Sequence, residues 1–66
     1  MPNHFKALFN RGFAYDKISQ FDKAIEDYSK AIEIDPNNAY TYYNKGISLD
    51  RKGDYDAAIN CFSKAI

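Results

Sequence analysis

The feature that most constrains the fold is an internal repeat with a period of 34 residues. When residues 5–32 are aligned with residues 39–66 without a gap, ten of the 28 pairs are identical. A repeat of this length indicates an array in which each copy is one supersecondary unit that buries its apolar face against its neighbour. We therefore expect residues 1–66 to form a single module, with units at residues 3–36 and 37–66, the second of which is expected to be incomplete at its C-terminal end.

Each unit has the apolar spacing of two helices. Apolar residues recur at three- and four-residue steps in two runs, as one face of a helix requires. The runs are separated at Ile18-Ser19-Gln20 in the first unit and at Gly53 in the second. Because Ser19 stands where the second unit has a glycine, we expect a less tight turn and a looser hairpin in the first unit.

The ends of the helices carry their own signals. Pro36 cannot continue a helix and disfavours helical backbone in the residue before it. Asn37 or Asn38 is expected to cap the third helix, and Asp54 the fourth. Gly12 and Gly46 lie within helices, where glycine costs about 1 kcal/mol relative to alanine. Their presence predicts a close helix–helix contact inside each hairpin.

The two units resemble the tetratricopeptide repeat, whose period and small-residue and aromatic positions they share. The first unit offers Leu8, Gly12, Tyr15, Phe21, Ala24, Tyr28, Ala31 and Pro36. The second offers Tyr42, Gly46, Leu49, Gly53, Tyr55, Ala58, Phe62 and Ala65. The resemblance implies an all-α fold, with two antiparallel helical hairpins stacked as a four-helix segment of a right-handed solenoid.

The resemblance also implies a function in protein–protein interaction, as a scaffold or adaptor. In the family, the first helix of each repeat lines a concave groove that binds a peptide or a partner protein. The corresponding groove residues are Lys6, Phe9, Asn10, Phe13, Lys17, Tyr40, Tyr43, Asn44, Ile47 and Arg51. An asparagine side chain can both donate to and accept from a peptide backbone, and tyrosines are common anchors at interfaces. The alternative for Phe9, Phe13 and Ile47 is packing between the units, and a structural role is likewise the alternative for Asn10 and Asn44.

A subset of the family binds the carboxylate tails of heat-shock chaperones through lysines, asparagines and an arginine. Asn44 matches one of these asparagines. Phe9 and Phe13 occupy positions where a lysine and an asparagine are required, so we expect no such clamp.

The last helix carries an apolar face that the next unit of an array would cover, formed by Ile59, Phe62 and Ile66. The chain is therefore expected to be a piece of a longer array, or to self-associate through this face. Two-fold pairing, head-to-tail stacking and a domain swap remain open as modes of homo-oligomerisation. The alternative function is accordingly that of a structural, self-assembling repeat unit.

The charge and apolar content of the chain argue against some classes of binding partner. Nine basic residues balance nine acidic ones, and this neutrality argues against binding to nucleic acid or to an anionic membrane surface. No apolar run approaches the length of a membrane span. The single cysteine, Cys61, cannot form an internal disulfide, which favours a cytoplasmic location, with the nucleus as the other reducing compartment.

The sequence offers little support for catalysis. His4 is the only histidine, and no partner for it is apparent. Cys61 aligns with Asp27, so we expect a partly exposed thiol outside the core. Lys23 and Asp27 have the spacing of a surface ion pair along one helix. We expect no enzymatic activity, no cofactor and no metal site.

Overall fold

The structure is a computed structural model that describes residues 4–66. The described chain forms α1 (His4–Lys17), α2 (Phe21–Ile34), α3 (Ala39–Lys52) and α4 (Tyr55–Ala65), with no strand. The expected all-α fold of two helical hairpins is confirmed, while the expected start of the first unit at residue 3 lies outside the described residues. None of the helices in this part of the chain is both long enough and apolar enough to cross a membrane.

Each hairpin closes around a glycine. A Cβ atom on Gly12 would lie 3.1 Å from the Tyr28 ring and 3.3 Å from the carbonyl oxygen of Ala24. A Cβ atom on Gly46 would lie only 2.6 Å from the ring of Phe62. The predicted close contacts are therefore present, and the ring that covers each glycine occupies the same position in both repeats.

The two hairpins pack together through α2 and α3. Leu49, Ala58 and Cys61 form a buried cluster in the second hairpin, and Ile25 of α2 packs against it from the first. Burying apolar surface stabilises a protein by about 25 cal/mol per Å². This cluster therefore helps hold the two hairpins in one body, as the repeat pattern predicted.

Each of the two hairpin turns contains a left-handed residue. Gly53 has φ +101° and Ser19 has φ +65°, so both residues are left-handed. The amide of Ser19 donates to Asp16 O at 3.0 Å, as that of Gly53 does to Asp50 O. Ser19 thus adopts the glycine conformation despite its Cβ atom. The first connection is nevertheless the longer one, residues 18–20 against residues 53–54, and only the amide of Gly53 also donates to Leu49 O, so the expected less tight first turn agrees with the structure.

Helix capping differs between the hairpins. The side chain of Asn38 accepts from the amide of Thr41 at 3.1 Å, and that of Asp54 accepts from the amide of Ala57 at 3.3 Å. Both caps agree with the sequence prediction. The side chain of Gln20, at the corresponding start of α2, makes no capping hydrogen bond.

Candidate functional site

The first helices of the two repeats meet through aromatic rings. The Phe9 ring of α1 stacks on the Tyr40 ring of α3, with centroids 5.6 Å apart. Phe9 also makes an edge-on contact with Tyr28 of α2 at 5.5 Å. Aromatic pairs in such arrangements stabilise by about 0.5–1.5 kcal/mol beyond the area that they bury. Phe9 is half-buried as a result and forms part of the junction between the repeats.

Several residues of the expected groove are accessible. The rings of Phe13, Tyr40 and Tyr43 are all exposed to a substantial degree. The ammonium group of Lys17 lies 4.9 Å from the centroid of the Phe13 ring, within the range of a cation–π contact. Two further residues of the expected groove on α1, Lys6 and Asn10, are also exposed. The two first helices thus present aromatic, amide and cationic groups to solvent.

Asn44 and Asn10 differ in spite of their equivalent positions. Asn44 is only 8% exposed, and its side-chain nitrogen donates to the carbonyl oxygen of Tyr40 at 2.8 Å. Asn10 has no helix of a preceding repeat beside it in the described chain and is exposed. Ile47, also expected in the groove, is half-buried.

Arg51 connects the two repeats. Its guanidinium group donates to the carboxylate of Asp16 at 2.5 Å and lies 5.1 Å from the centroid of the Phe21 ring. The hydroxyl of Ser48 donates to the same carboxylate at 2.6 Å. Asp16 is buried, so these two donors satisfy a charge that would be costly if left alone. Although Arg51 was expected in the groove, its guanidinium group already has partners at this junction.

Sequence reasoning did not assign a role to Asp16. The available signal was that an aspartate followed by a basic residue occurs at the same place in both units, as Asp16-Lys17 and Asp50-Arg51. Only Asp16 has a following repeat beside it in the described chain, and it is buried, whereas Asp50 is exposed.

A second ion pair lies within the first hairpin. The guanidinium group of Arg11 donates to both carboxylate oxygens of Asp27, at 2.7 and 2.9 Å. Asp27 is 1% exposed, and hydrogen bonding with this carboxylate raises the pKa of Arg11 above its usual range. The expected pair between Lys23 and Asp27 is therefore wrong, because the carboxylate turns inward to α1. The ammonium group of Lys23 instead lies 5.7 Å from the ring of Tyr15.

The thiol of Cys61 also faces inward. Cys61 is buried in the cluster with Leu49 and Ala58, so the expectation of a partly exposed thiol is wrong. The error came from treating Asp27, its equivalent, as a surface residue. Among residues 4–66, no three His, Cys, Asp or Glu side chains are grouped so that they could hold a metal ion.

The outer face of the second hairpin is apolar and partly open. Ile59 and Ile66 are exposed, whereas Phe62 is half-buried between Gly46 and the Tyr43 ring, whose centroid is 5.8 Å away. Beside them lies a cavity of about 540 Å³. It is lined by Ala39, Tyr40, Tyr43, Phe62, Ala65 and Ile66.

Comparison with known proteins agrees with this architecture. Sequence profiles described as tetratricopeptide repeat match residues 5–38 and 27–60. Repeats of this family generally mediate protein–protein interactions and are non-catalytic modules.

Three curated relatives share the name FK506-binding protein-like. The protein from Rattus norvegicus is 43% identical over 37 residues, and that from Mus musculus is 40% identical over 37 residues. The protein from Homo sapiens is 43% identical over 37 residues. Each match covers 56% of this chain but only 11% of the relative, so the chain spans a small part of their length. On the strength of the matching profiles and the paired hairpins, the chain belongs to the tetratricopeptide repeat family and carries two tandem repeats.

Proposed function

We propose that the chain binds a segment of a partner protein along the surface formed by α1 and α3. The observation that carries this proposal is the exposure of three aromatic rings, those of Phe13, Tyr40 and Tyr43, on the two first helices. Rigid aromatic side chains are common anchors at interfaces, because they bury much area and lose little conformational freedom on binding.

The polar groups beside these rings suit an extended peptide. The amide of exposed Asn10 can donate to and accept from a peptide backbone without regard to its sequence. The ammonium group of Lys17, held over the Phe13 ring, can pair with an acidic side chain of the partner. The proposal does not use Asn44, because its side-chain nitrogen already donates within its own helix.

A phage-displayed library of random peptides provides the test. Selected peptides are resynthesised with a fluorophore, and their affinities are measured by anisotropy for the wild type and for Phe13→Ala. Because this substitution removes one exposed anchor, we expect affinity to fall about tenfold. The matched control is Ile34→Ala on α2, since Phe13 is 45% exposed and Ile34 is 51% exposed. Equal affinities of the wild type and Phe13→Ala for every selected peptide would reject the proposed surface.

Self-association is a second candidate function. It is favoured by the apolar cavity of about 540 Å³ on the outer face of the second hairpin, together with exposed Ile59 and Ile66. Contiguous exposed apolar surface of this kind marks interaction sites in soluble proteins. Light scattering over a range of concentrations tests this candidate, and a chain that stays monomeric at the highest concentrations would reject it.

A further inference from the structure

The junction between the two repeats has two sides, which we call the receiving side, on the first hairpin, and the inserting side, on α3 of the second. The receiving side includes Asp16 and Phe21. On the inserting side, Arg51 donates to Asp16 at 2.5 Å and lies 5.1 Å from the Phe21 ring. Ser48 and Thr41, two turns apart on α3, are both small and fully buried, and Ser48 donates to Asp16 at 2.6 Å. The junction therefore combines an acid–base pair, a cation–π contact and small side chains.

The open face of the second hairpin repeats the receiving side. Asp50 and Tyr55 lie one period after Asp16 and Phe21, and Asp50 and Tyr55 are both exposed. The ring pair of Tyr43 and Phe62 likewise repeats the pair of Phe9 and Tyr28. In the first hairpin that pair is covered by Tyr40, whereas in the second it borders the open cavity.

The outer side of α1 repeats the inserting side. One period before Arg51 stands Lys17, so a cation is retained at the position that reaches the acid and the ring. Ala14 and Ala7 replace Ser48 and Thr41, and all four side chains are small enough for close packing of helices. Ala7, Ala14 and Lys17 are all exposed.

We propose that copies of this chain associate head to tail, with α1 of one copy packed against α3 and α4 of the next. In this arrangement Lys17 pairs with Asp50 of the neighbouring copy and lies over its Tyr55 ring, as Arg51 does with Asp16 and Phe21. The inserted helix covers the apolar cavity beside Tyr43. The inference rests on the self-association proposed above and specifies its geometry and its partner, a second copy of the chain.

Charge complementarity favours this arrangement over a symmetric one. Two-fold pairing of the two α4 faces would leave Lys17 outside the interface, so Asp50 would gain no partner from α1. Three contacts of the internal junction have no counterpart. Lys6 stands one period before Tyr40, so the ring stacked on Phe9 is not repeated, and Ala14 cannot repeat the hydrogen bond from Ser48 to Asp16. Ile18 replaces Lys52, which pairs with Asp22 at 2.6 Å. Both members of that pair are exposed, and exposed ion pairs contribute little to stability. A head-to-tail contact does not close on itself, so species larger than dimers are expected as concentration rises.

Charge reversal separates the possible arrangements. Lys17→Glu and Asp50→Lys each place like charges at the proposed contact, and each variant alone should associate about tenfold more weakly than wild type. Mixing the two variants in equal amounts restores an opposite-charge pair at every junction, so association should return. The matched controls are Lys30→Glu and Glu33→Lys, which reverse exposed charges on α2 and should associate as the wild type does.

Sedimentation velocity over a range of concentrations gives the readout, and circular dichroism checks that each variant is folded. Unchanged association in both single variants, or a mixture that stays as weak as its components, would overturn the head-to-tail arrangement. In that case, weaker association of Ile59→Asp would show that the chains still associate through the apolar face of α4, in an arrangement other than head to tail. Ile59 is exposed, so this substitution should leave the fold intact. A wild-type chain that remains monomeric would reject self-association and the head-to-tail arrangement together, while peptide binding through Phe13 stays separately testable.

Discussion

At the equivalent positions 27 and 61, the first hairpin buries a carboxylate and the second buries a thiol. Asp27 is matched by Arg11, whereas Cys61 lies among apolar side chains and the residue equivalent to Arg11 is Lys45. The helices nevertheless pair in the same way, around Gly12 in one hairpin and Gly46 in the other. Both hairpins therefore depend on the same contact between a glycine and an aromatic ring. The buried residue at position 27 or 61 can be ionic or apolar, provided that its neighbours supply an opposite charge or an apolar environment.

The same comparison holds at the turns and at the rings over the glycines. The first hairpin has a left-handed Ser19 and an uncapped α2, whereas the second has Gly53 and the Asp54 cap. A fully buried Tyr28 covers Gly12, while a half-buried Phe62 covers Gly46. The first hairpin thus depends more on ionisable groups and on a strained turn. Substitutions that exchange these features between the hairpins test how much each one contributes.

The largest effect is expected for Arg11→Ala. This change leaves the 1% exposed carboxylate of Asp27 without its partner, and because an unpaired buried charge is costly, we expect strong destabilisation although the Arg11 side chain is itself 57% exposed. The equivalent change in the second hairpin, Lys45→Ala, removes no buried partner and should cost about 0.5 kcal/mol or less. Urea unfolding followed by circular dichroism measures both values.

A double variant sharpens this comparison. Arg11→Ala combined with Asp27→Cys places the residue of the second hairpin in the first and removes the unpaired charge. We expect it to be more stable than Arg11→Ala alone, because an apolar replacement avoids the cost of burying an isolated carboxylate. Equal unfolding free energies for Arg11→Ala and Lys45→Ala would show that the buried pair does not distinguish the hairpins.

An effect of intermediate size on the free energy of unfolding is expected from Tyr28 at alkaline pH. Burial, with the nearby Asp16 and Tyr40, raises the pKa of Tyr28 from 10.0 to about 12. The folded protein therefore holds this proton more tightly than the unfolded chain, so the contribution of Tyr28 is intact below pH 10 and is lost as pH rises toward 12. A shift of this size corresponds to about 3 kcal/mol.

Unfolding free energies of the wild type and Tyr28→Phe, measured across this pH range, isolate the effect, because the other tyrosines are common to both proteins. The wild type should lose stability relative to Tyr28→Phe as pH rises. Phe62→Tyr is the matched control in the second hairpin, where the half-buried site should produce a smaller alkaline loss. Parallel pH profiles for the wild type and Tyr28→Phe would contradict the predicted role of burial.

The sequence alone predicted the features that depend on local chemistry and period. Apolar spacing indicated the helices, and the glycines indicated the close contacts. Asp54 was recognised as a cap, and the cap of α3 was narrowed to Asn37 or Asn38, of which the structure uses Asn38. The buried carboxylates of Asp16 and Asp27 escaped prediction, because apolar periodicity treats aspartate as a solvent-facing residue. Their burial depends on basic partners 35 and 16 residues away along the chain.

The candidate site was less predictable for the same reason. Whether a first-helix residue is available depends on the repeat beside it, which a position within one unit does not reveal. Asn10 and Asn44 have equivalent positions, yet only Asn10 is exposed. Arg51 likewise matches the groove pattern, but its guanidinium group contacts Asp16 and Phe21 of the preceding hairpin.

The smallest effect is expected at the turns. A residue with a Cβ atom in the left-handed region is strained by about 1–2 kcal/mol, and glycine offsets part of this gain by its greater freedom in the unfolded chain. Ser19→Gly should therefore stabilise the protein by about 0.5–1 kcal/mol, and Gly53→Ser should destabilise it by a similar amount. Urea midpoints of the two variants measure these opposite shifts. If Ser19→Gly were destabilising, the hydroxyl of Ser19 would have to contribute more than the left-handed strain removes.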